Sequence, residues 1–204
     1  MSTHYKLATL FAAILFSGIS LAQTPDVKPE RIRGDIVSFE GEMLKVHRNG
    51  GDIISVDINP ELAVSALKSA RLSDAKVGSY VGTPALTGSD GKLTATSMII
   101  FPEAARGVAE GHFPYDFGAN STMTNANVVK VVTGSSGRKL DLSYRGGSSQ
   151  VTVPENVPVV TPVPASRADL ITGKKVFLVV TPGTTGKYDA QVLFVEKDGV
   201  LPQF

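Results

Sequence analysis

The sequence predicts a mainly β protein built from two tandem five-stranded units. Three observations carry that expectation. The second half repeats the order of strand and turn signals of the first, short apolar–polar alternations recur between Gly- and Asn-containing turns, and a stretch of different composition follows the third strand of each copy.

The repeat is visible by alignment. Gly34-Asp35-Ile36-Val37-Ser38-Phe39 falls on Ala126-Asn127-Val128-Val129-Lys130-Val131, and the turn Arg48-Asn49-Gly50-Gly51 on Tyr144-Arg145-Gly146-Gly147. Asp74 with Gly78 matches Asp169 with Gly173, and Gly91-Lys92-Leu93-Thr94-Ala95 matches Gly186-Lys187-Tyr188-Asp189-Ala190. The offset stays near roughly 95 residues, which indicates a duplicated module rather than a solenoid.

In the first copy, Ile32 to Phe39, Met43 to His47 and Ile53 to Ile58 read as strands, separated by Glu40-Gly41-Glu42 and Asn49-Gly50-Gly51 turns. Ile54, Val56 and Ile58 alternate with Ser55 and Asp57, the period of a half-buried strand. Leu62 to Lys76 is rich in Ala, Leu, Lys and Ser and places Leu62, Ala66, Leu67 and Ala70 at helical spacing, so a short helix is expected there. Ser79 to Leu86 and Leu93 to Phe101 complete the unit around a Gly88-Ser89-Asp90-Gly91 turn. In the second copy, Val128 to Val132, Leu140 to Tyr144 and Gln150 to Val153 supply three strands. Pro154, Pro158, Pro162 and Pro164 shrink the helix to about one turn around Ser166 to Leu170. Lys175 to Val180 and Lys187 to Glu196 then close the copy.

Five strands with a helix between the third and fourth, in about 75 residues, is the order of a Greek-key barrel of the oligonucleotide/oligosaccharide-binding (OB) type. An immunoglobulin-like sandwich needs about seven strands and lacks that helix. The expected organisation is a signal peptide over 1–22, a leader over 23–30, an OB-like barrel over 31–103, a connector over 104–124 and a second OB-like barrel over 125–204.

The signal reading rests on Lys6, the apolar run from Leu7 to Leu15, and small residues Ser20 and Ala22 before Gln23. The alternative, an uncleaved anchor, needs a longer run. Lys and Arg number 20 against 19 Asp and Glu, and Lys6 would leave with the signal, so the mature chain is formally neutral. Neutrality without a basic block argues against nucleic acid, and beyond Leu21 no stretch reads as a transmembrane span. With no cysteine, an exported chain depends on packed cores, which suits the bacterial periplasm or a secreted state.

Arg33-Gly34, Asn49-Gly50-Gly51, Asp74 to Gly78 and Gly91 to Ala95 together resemble the pattern of DUF5666, a domain of unknown function in bacterial exported proteins. The resemblance covers both copies and includes the joining segments Phe101-Pro102-Glu103-Ala104, Gly111-His112-Phe113-Pro114-Tyr115-Asp116 and Ser121-Thr122-Met123-Thr124-Asn125-Ala126. It implies an OB-like barrel and no established activity, and supplies no catalytic residue.

Chemical potential concentrates in the connector, at Glu110, His112, Phe113, Tyr115 and Asp116. One reading makes Glu110, His112 and Asp116 ligands of a divalent metal, although a single imidazole with two carboxylates is a small donor set. In the other, Phe113, Pro114, Tyr115 and Phe117 pin the connector against the barrels while His112 and Asp116 satisfy backbone groups. Lys45 and His47, on the exposed parity of the second strand, add a candidate partner surface with Ser55, Asp57, Asp141, Ser143 and Gln150. Arg33-Gly34-Asp35 spells an integrin-binding tripeptide but falls inside an expected strand. With no nucleophile elbow, phosphate loop or metalloprotease helix, the expectation is a non-enzymatic binding protein without cofactor, taking an envelope protein, peptide or glycan. A periplasmic divalent-metal accessory and a structural envelope component are the alternatives.

Overall fold

Alternation in the sequence becomes alternation of burial. The computed structural model describes residues 28–135, 137–183 and 186–202, and the expected signal peptide lies outside them. Strands β1 (Glu30–Glu40), β2 (Met43–Arg48) and β3 (Ile53–Asp57) form an antiparallel meander. Leu44, Val46, Ile54 and Val56 turn inward, and Lys45 and His47 outward. Gly34 lets β1 close on β2: a Cβ there would stand 2.2 Å from the His47 carbonyl oxygen and 2.8 Å from Val46 Cγ1.

The expected helix over Leu62 to Lys76 is not formed. Val64–Ser69 is strand β4, and only Leu72–Asp74 makes a turn of 3₁₀ helix. Val64, Ala66 and Leu67 are buried, and β4 fills a slot between two other strands that outweighs the helical propensity of Ala, Leu and Lys. Beyond it come β5 (Tyr80–Thr87), β6 (Leu93–Ala95) and β7 (Met98–Ile100). The single strand expected over Leu93 to Phe101 is thus split at Thr96 and Ser97.

The connector supplies a 3₁₀ turn at Glu103–Ala105 and strand β8 (Gly111–Pro114), followed by β9 (Ser121–Gly134), β10 (Gly137–Tyr144) and β11 (Gly147–Pro154). Next come β12 (Val159–Pro164), a 3₁₀ turn at Arg167–Asp169 within the span where one helical turn is expected, β13 (Lys175–Pro182) and β14 (Tyr188–Val195). β12 accommodates its prolines by facing. Ala165 N–H donates to the Val64 carbonyl and the Val159 carbonyl accepts Ala70 N–H, so odd-numbered residues bond to β4. The ring nitrogens of Pro162 and Pro164 face the other way, where β7 pairs only Val159 and Val160.

The strands do not close within each half. β1, β2 and β3 pair onward to β14, which pairs with β13, which returns to β1. This is a closed five-stranded barrel with three strands from the first half and two from the second. The pairings β9–β10–β11–β6–β5–β9 run in the reciprocal ring. Equivalent pairs match in register: Tyr188 opposes Val56 as Leu93 opposes Val151, both in parallel. The expected barrel limits of 31–103 and 125–204 therefore follow the repeat but not the rings. Local signals identify a strand's type, and the two copies offer chemically alike edges, so the pattern cannot say which copy's last strands close which ring.

β4 and β12 cross between the rings. β4 runs parallel to β14, β12 parallel to β7, and the two pair antiparallel with Leu67 opposite Pro162. Since Leu67 and Pro162 are equivalent in the repeat, a pseudo-two-fold axis passes through that pair. Ring one is filled by Ile36, Leu44, Val56, Leu178 and Leu193, ring two by Val81, Met98, Leu140, Leu142 and Val151. A third cluster, Leu67, Ile99, Val160 and Phe177, packs the seam. Among the described residues no helix is long and apolar enough to cross a membrane.

Candidate functional site

The seam between the rings is where the connector lies. β8 adds to β9, with Gly111 opposite Asn125 and Phe113 opposite Met123. β8 sets Phe113 and, just beyond it, Tyr115 to one side and His112 to the other, and the chain then bends so that Asp116 and Phe117 both reach Arg33. On β1, Arg31 and Arg33 share a parity, and they interleave with these aromatic rings. The Arg31 guanidinium lies 4.6 Å from the Tyr115 ring centroid and 5.8 Å from that of Phe113. Arg33 lies 4.9 Å from Phe117 and 5.2 Å from Phe177. Such cation–π pairs strengthen as water is excluded, and here they fasten the connector to ring one.

Asp116 completes the fastening. Arg33 Nη1 donates to Asp116 Oδ2 at 2.6 Å and Nη2 to Oδ1 at 3.0 Å, a two-pronged pair. Partial burial pushes the Asp116 carboxyl upward, but Arg33 outweighs it through hydrogen bonding and charge and holds it below the usual carboxylate range. Tyr115 is buried beneath this pair, and burial pushes its phenol up to about 12. Ser121 closes the loop, its Oγ donating to the Tyr115 carbonyl at 2.7 Å and accepting Phe117 N–H at 3.0 Å.

The upstream part of the connector is held by ring two. Arg106 grips Glu103 through two nitrogens (2.6 and 2.7 Å), donates to the Gly78 carbonyl at 2.9 Å and bonds Asn127 Oδ1. Tyr80 Oη donates to the Val108 carbonyl at 3.0 Å. Burial pushes the Tyr80 phenol up to about 12, with nearby Glu110 adding to the rise and Arg106 opposing it.

Glu110, His112 and Asp116 are engaged separately. Glu110 Oε1 accepts Arg145 N–H at 3.0 Å, and His112 Nδ1 lies 2.8 Å from Thr124 Oγ1 with its ring stacked on Tyr144 at 6.1 Å. Asp116 faces Arg33. Among the described residues no group of three or more His, Asp or Glu side chains converges as metal ligands would. Lys45 and His47 are exposed on β2, and among the described residues no hydrogen bond, ion pair or ring contact joins them to the connector. Arg33-Gly34-Asp35 lies within β1, as its context suggests, with Asp35 paired to Lys175 at 2.6 Å.

Where connector, β1, β7, β9, β13 and β14 meet, a cleft of about 340 Å³ opens. Phe101, Phe113, Tyr115, Met123, Phe177 and Phe194 give it an apolar wall, and Arg31 and Asn125 are its polar members. Its volume falls at the lower end of the range of small-molecule sites. Asn125 is 6% exposed. Its Nδ2 donates to the Ala109 carbonyl at 3.1 Å, while its buried Oδ1 accepts no hydrogen bond among the described residues. Gly82 makes room for that oxygen, since a Cβ there would come within 2.6 Å of it.

Arg31, Arg33, Asn125 and Gly82 were not legible as site residues because they sit inside strands. The available signal was parity: Arg31-x-Arg33 matches Phe113-x-Tyr115-x-Phe117 once the two segments are known to be adjacent. No family model, curated protein or solved structure matches the chain.

Proposed function

We propose that the chain is an exported, non-enzymatic binding protein whose two rings are OB-like barrels and whose recognition surface is the cleft at their seam. The single observation that carries this reading is the cleft itself, an apolar hollow to which both rings and the connector contribute and which has a cation and an amide in its wall. The OB-like reading is supported by the strand order β1-β2-β3-β14-β13 and by the reciprocal ring, and agrees with the resemblance to DUF5666. Export is read from residues 1–22. On this reading the envelope ligands expected from the sequence, a peptide, glycan or protein, bind at the seam instead of at Lys45 and His47.

Thermal unfolding against a panel of envelope peptides, glycans, amphiphiles and divalent cations tests the reading. A ligand at one hundred times its Kd raises the melting temperature by roughly 5–10 °C for a protein of this size. The expected result is a rise that is lost in Val179→Trp, which fills the cleft from β13. A rise that persists in Val179→Trp moves the binding surface elsewhere, and no rise from any class removes the reading. A cation-specific rise abolished by His112→Ala would instead favour a metal accessory using Glu110, His112 and Asp116.

A further inference from the structure

The two arginines of β1 that meet the connector differ in one respect. Arg33 carries a carboxylate, Asp116, on two of its nitrogens. Arg31 lies against the rings of Tyr115 and Phe113 and lines the cleft, but among the described residues no carboxylate pairs with it. A guanidinium held by aromatic faces keeps its in-plane N–H donors for another partner, and a carboxylate or phosphate matches their fork.

Asn125 also borders the cleft and is 6% exposed, but its Oδ1 is fully buried over Gly82, so the contact for a head group is Arg31. The rest of the wall offers only apolar contact, through side chains such as Ile99, Phe101, Phe177, Val179 and Phe194.

We propose that the seam cleft binds an amphiphile with an anionic head, the head on the Arg31 guanidinium and the apolar body among the phenylalanines. This rests on the reading of the cleft as the binding surface and adds the chemical class of its ligand. Nucleic acid is a poorer fit, because one unpaired guanidinium neutralises one phosphate where a strand-tracking groove uses several. A cationic amphiphile is disfavoured by Arg31 itself, and a neutral one leaves the guanidinium without an acceptor.

The test uses the full chain and a head-group series at concentrations below micelle formation, followed by calorimetric titration. N-dodecanoylglycine carries a carboxylate, an amide N–H and an alkyl body; N-dodecanoylglycinamide replaces the carboxylate by a neutral amide, and dodecyltrimethylammonium reverses the charge. The expected result is binding of the carboxylate at least about tenfold tighter than of either comparator. That preference should vanish in Arg31→Gln, return in part in Arg31→Lys, and all binding should be lost in Val179→Trp. Equal binding of the three heads by the unmodified protein, or a preference that survives Arg31→Gln, overturns the proposal. If none of the three binds while another ligand's thermal shift is lost in Val179→Trp, the anionic amphiphile is wrong and the cleft reading stands. If no ligand of any class responds, both fall.

Discussion

Ring one and ring two share a wiring diagram and differ at the face each turns to the seam. In ring one the cross-strand pair is Arg33 opposite Phe177, a large cation against a large ring. The equivalent pair in ring two is Asn125 opposite Gly82, a short amide over no side chain at all. Two strand positions earlier, Arg31 opposes Val179 where Met123 opposes Pro84. The backbone symmetry about Leu67 and Pro162 would by itself give two identical seams. Substitution at these few facing positions instead sets a cation and a large ring on one side and a compact Asn–Gly pair on the other, and the connector, which has no counterpart in the repeat, covers the cleft between them. The difference teaches that duplication supplied the frame and divergence at the seam supplied the site.

The most severe way to break the comparison is to separate the halves. If the rings exchange strands as described, 28–103 and 104–204 each lack two strands of one ring and three of the other. Leu178, Val180, Leu193 and Val195 of the second half fill the core of ring one, and each buried Leu or Val contributes about 1.5–3 kcal/mol. Loss of four at once, about 6–12 kcal/mol, is comparable with the whole stability of an ordinary domain. Neither fragment should fold as a monomer, whereas a mixture should recover a β-type circular dichroism spectrum and a one-to-one complex by native mass spectrometry. A stable monomeric half with cooperative unfolding would mean that each copy closes its own barrel.

A smaller effect comes from one equivalent pair of positions. Gly34 in ring one aligns with Ala126 in ring two, yet a Cβ at Gly34 would collide with the backbone of His47, while Ala126 already carries one and is fully buried. Gly34→Ala should cost about 3 kcal/mol, the upper part of the range for overpacking against an unyielding backbone. Ala126→Gly should cost about 1 kcal/mol, mainly through chain entropy. Denaturant midpoints of the two variants give the ratio directly, and similar losses would show that β1 and β9 meet their neighbours alike.

The strands were legible because alternation is a local property, and Leu44, Val46, Ile54 and Val56 face inward as their spacing requires. The segment after β3 reads as helix because Leu62, Ala66, Leu67 and Ala70 recur at helical spacing, and that same cluster leaves Ala66 and Leu67 both buried in a strand flanked on two sides. Only the slot between β14 and β12 decides between helix and strand. The strand exchange was not legible at all, for alike edges compete equally in a pattern. At the site, the aromatic parity of Phe113, Tyr115 and Phe117 was readable, but their partners Arg31 and Arg33 are roughly 80 residues away and belong to another ring. Glu110, His112 and Asp116 are close in sequence, yet the chain turns after Pro114, sending Asp116 to Arg33 while His112 stays on Tyr144.

The smallest predicted effect concerns the tie that roofs only one seam. Asp116→Asn removes the charge facing Arg33 and keeps the shape. The Asp116 side chain is 38% exposed, so water screens the pair and the cost at neutral pH should be about 1 kcal/mol. Its pH dependence has a definite sign. The folded carboxyl titrates below its unfolded value of about 4, so the pair's contribution is present above that pH and is lost as pH falls through the folded value. Wild type and Asp116→Asn should therefore differ at pH 7 and converge under acid, with urea unfolding at low salt at both pH values as the measurement. The same experiment on Asn127→Ala, which removes the neutral oxygen bonded by Arg106, should show a smaller pH dependence than Asp116→Asn, since the only carboxylate involved is Glu103, which stays paired to Arg106 in both wild type and variant. Parallel behaviour in the two variants would mean that the charge on Asp116 contributes nothing to holding the connector and that its geometry alone does.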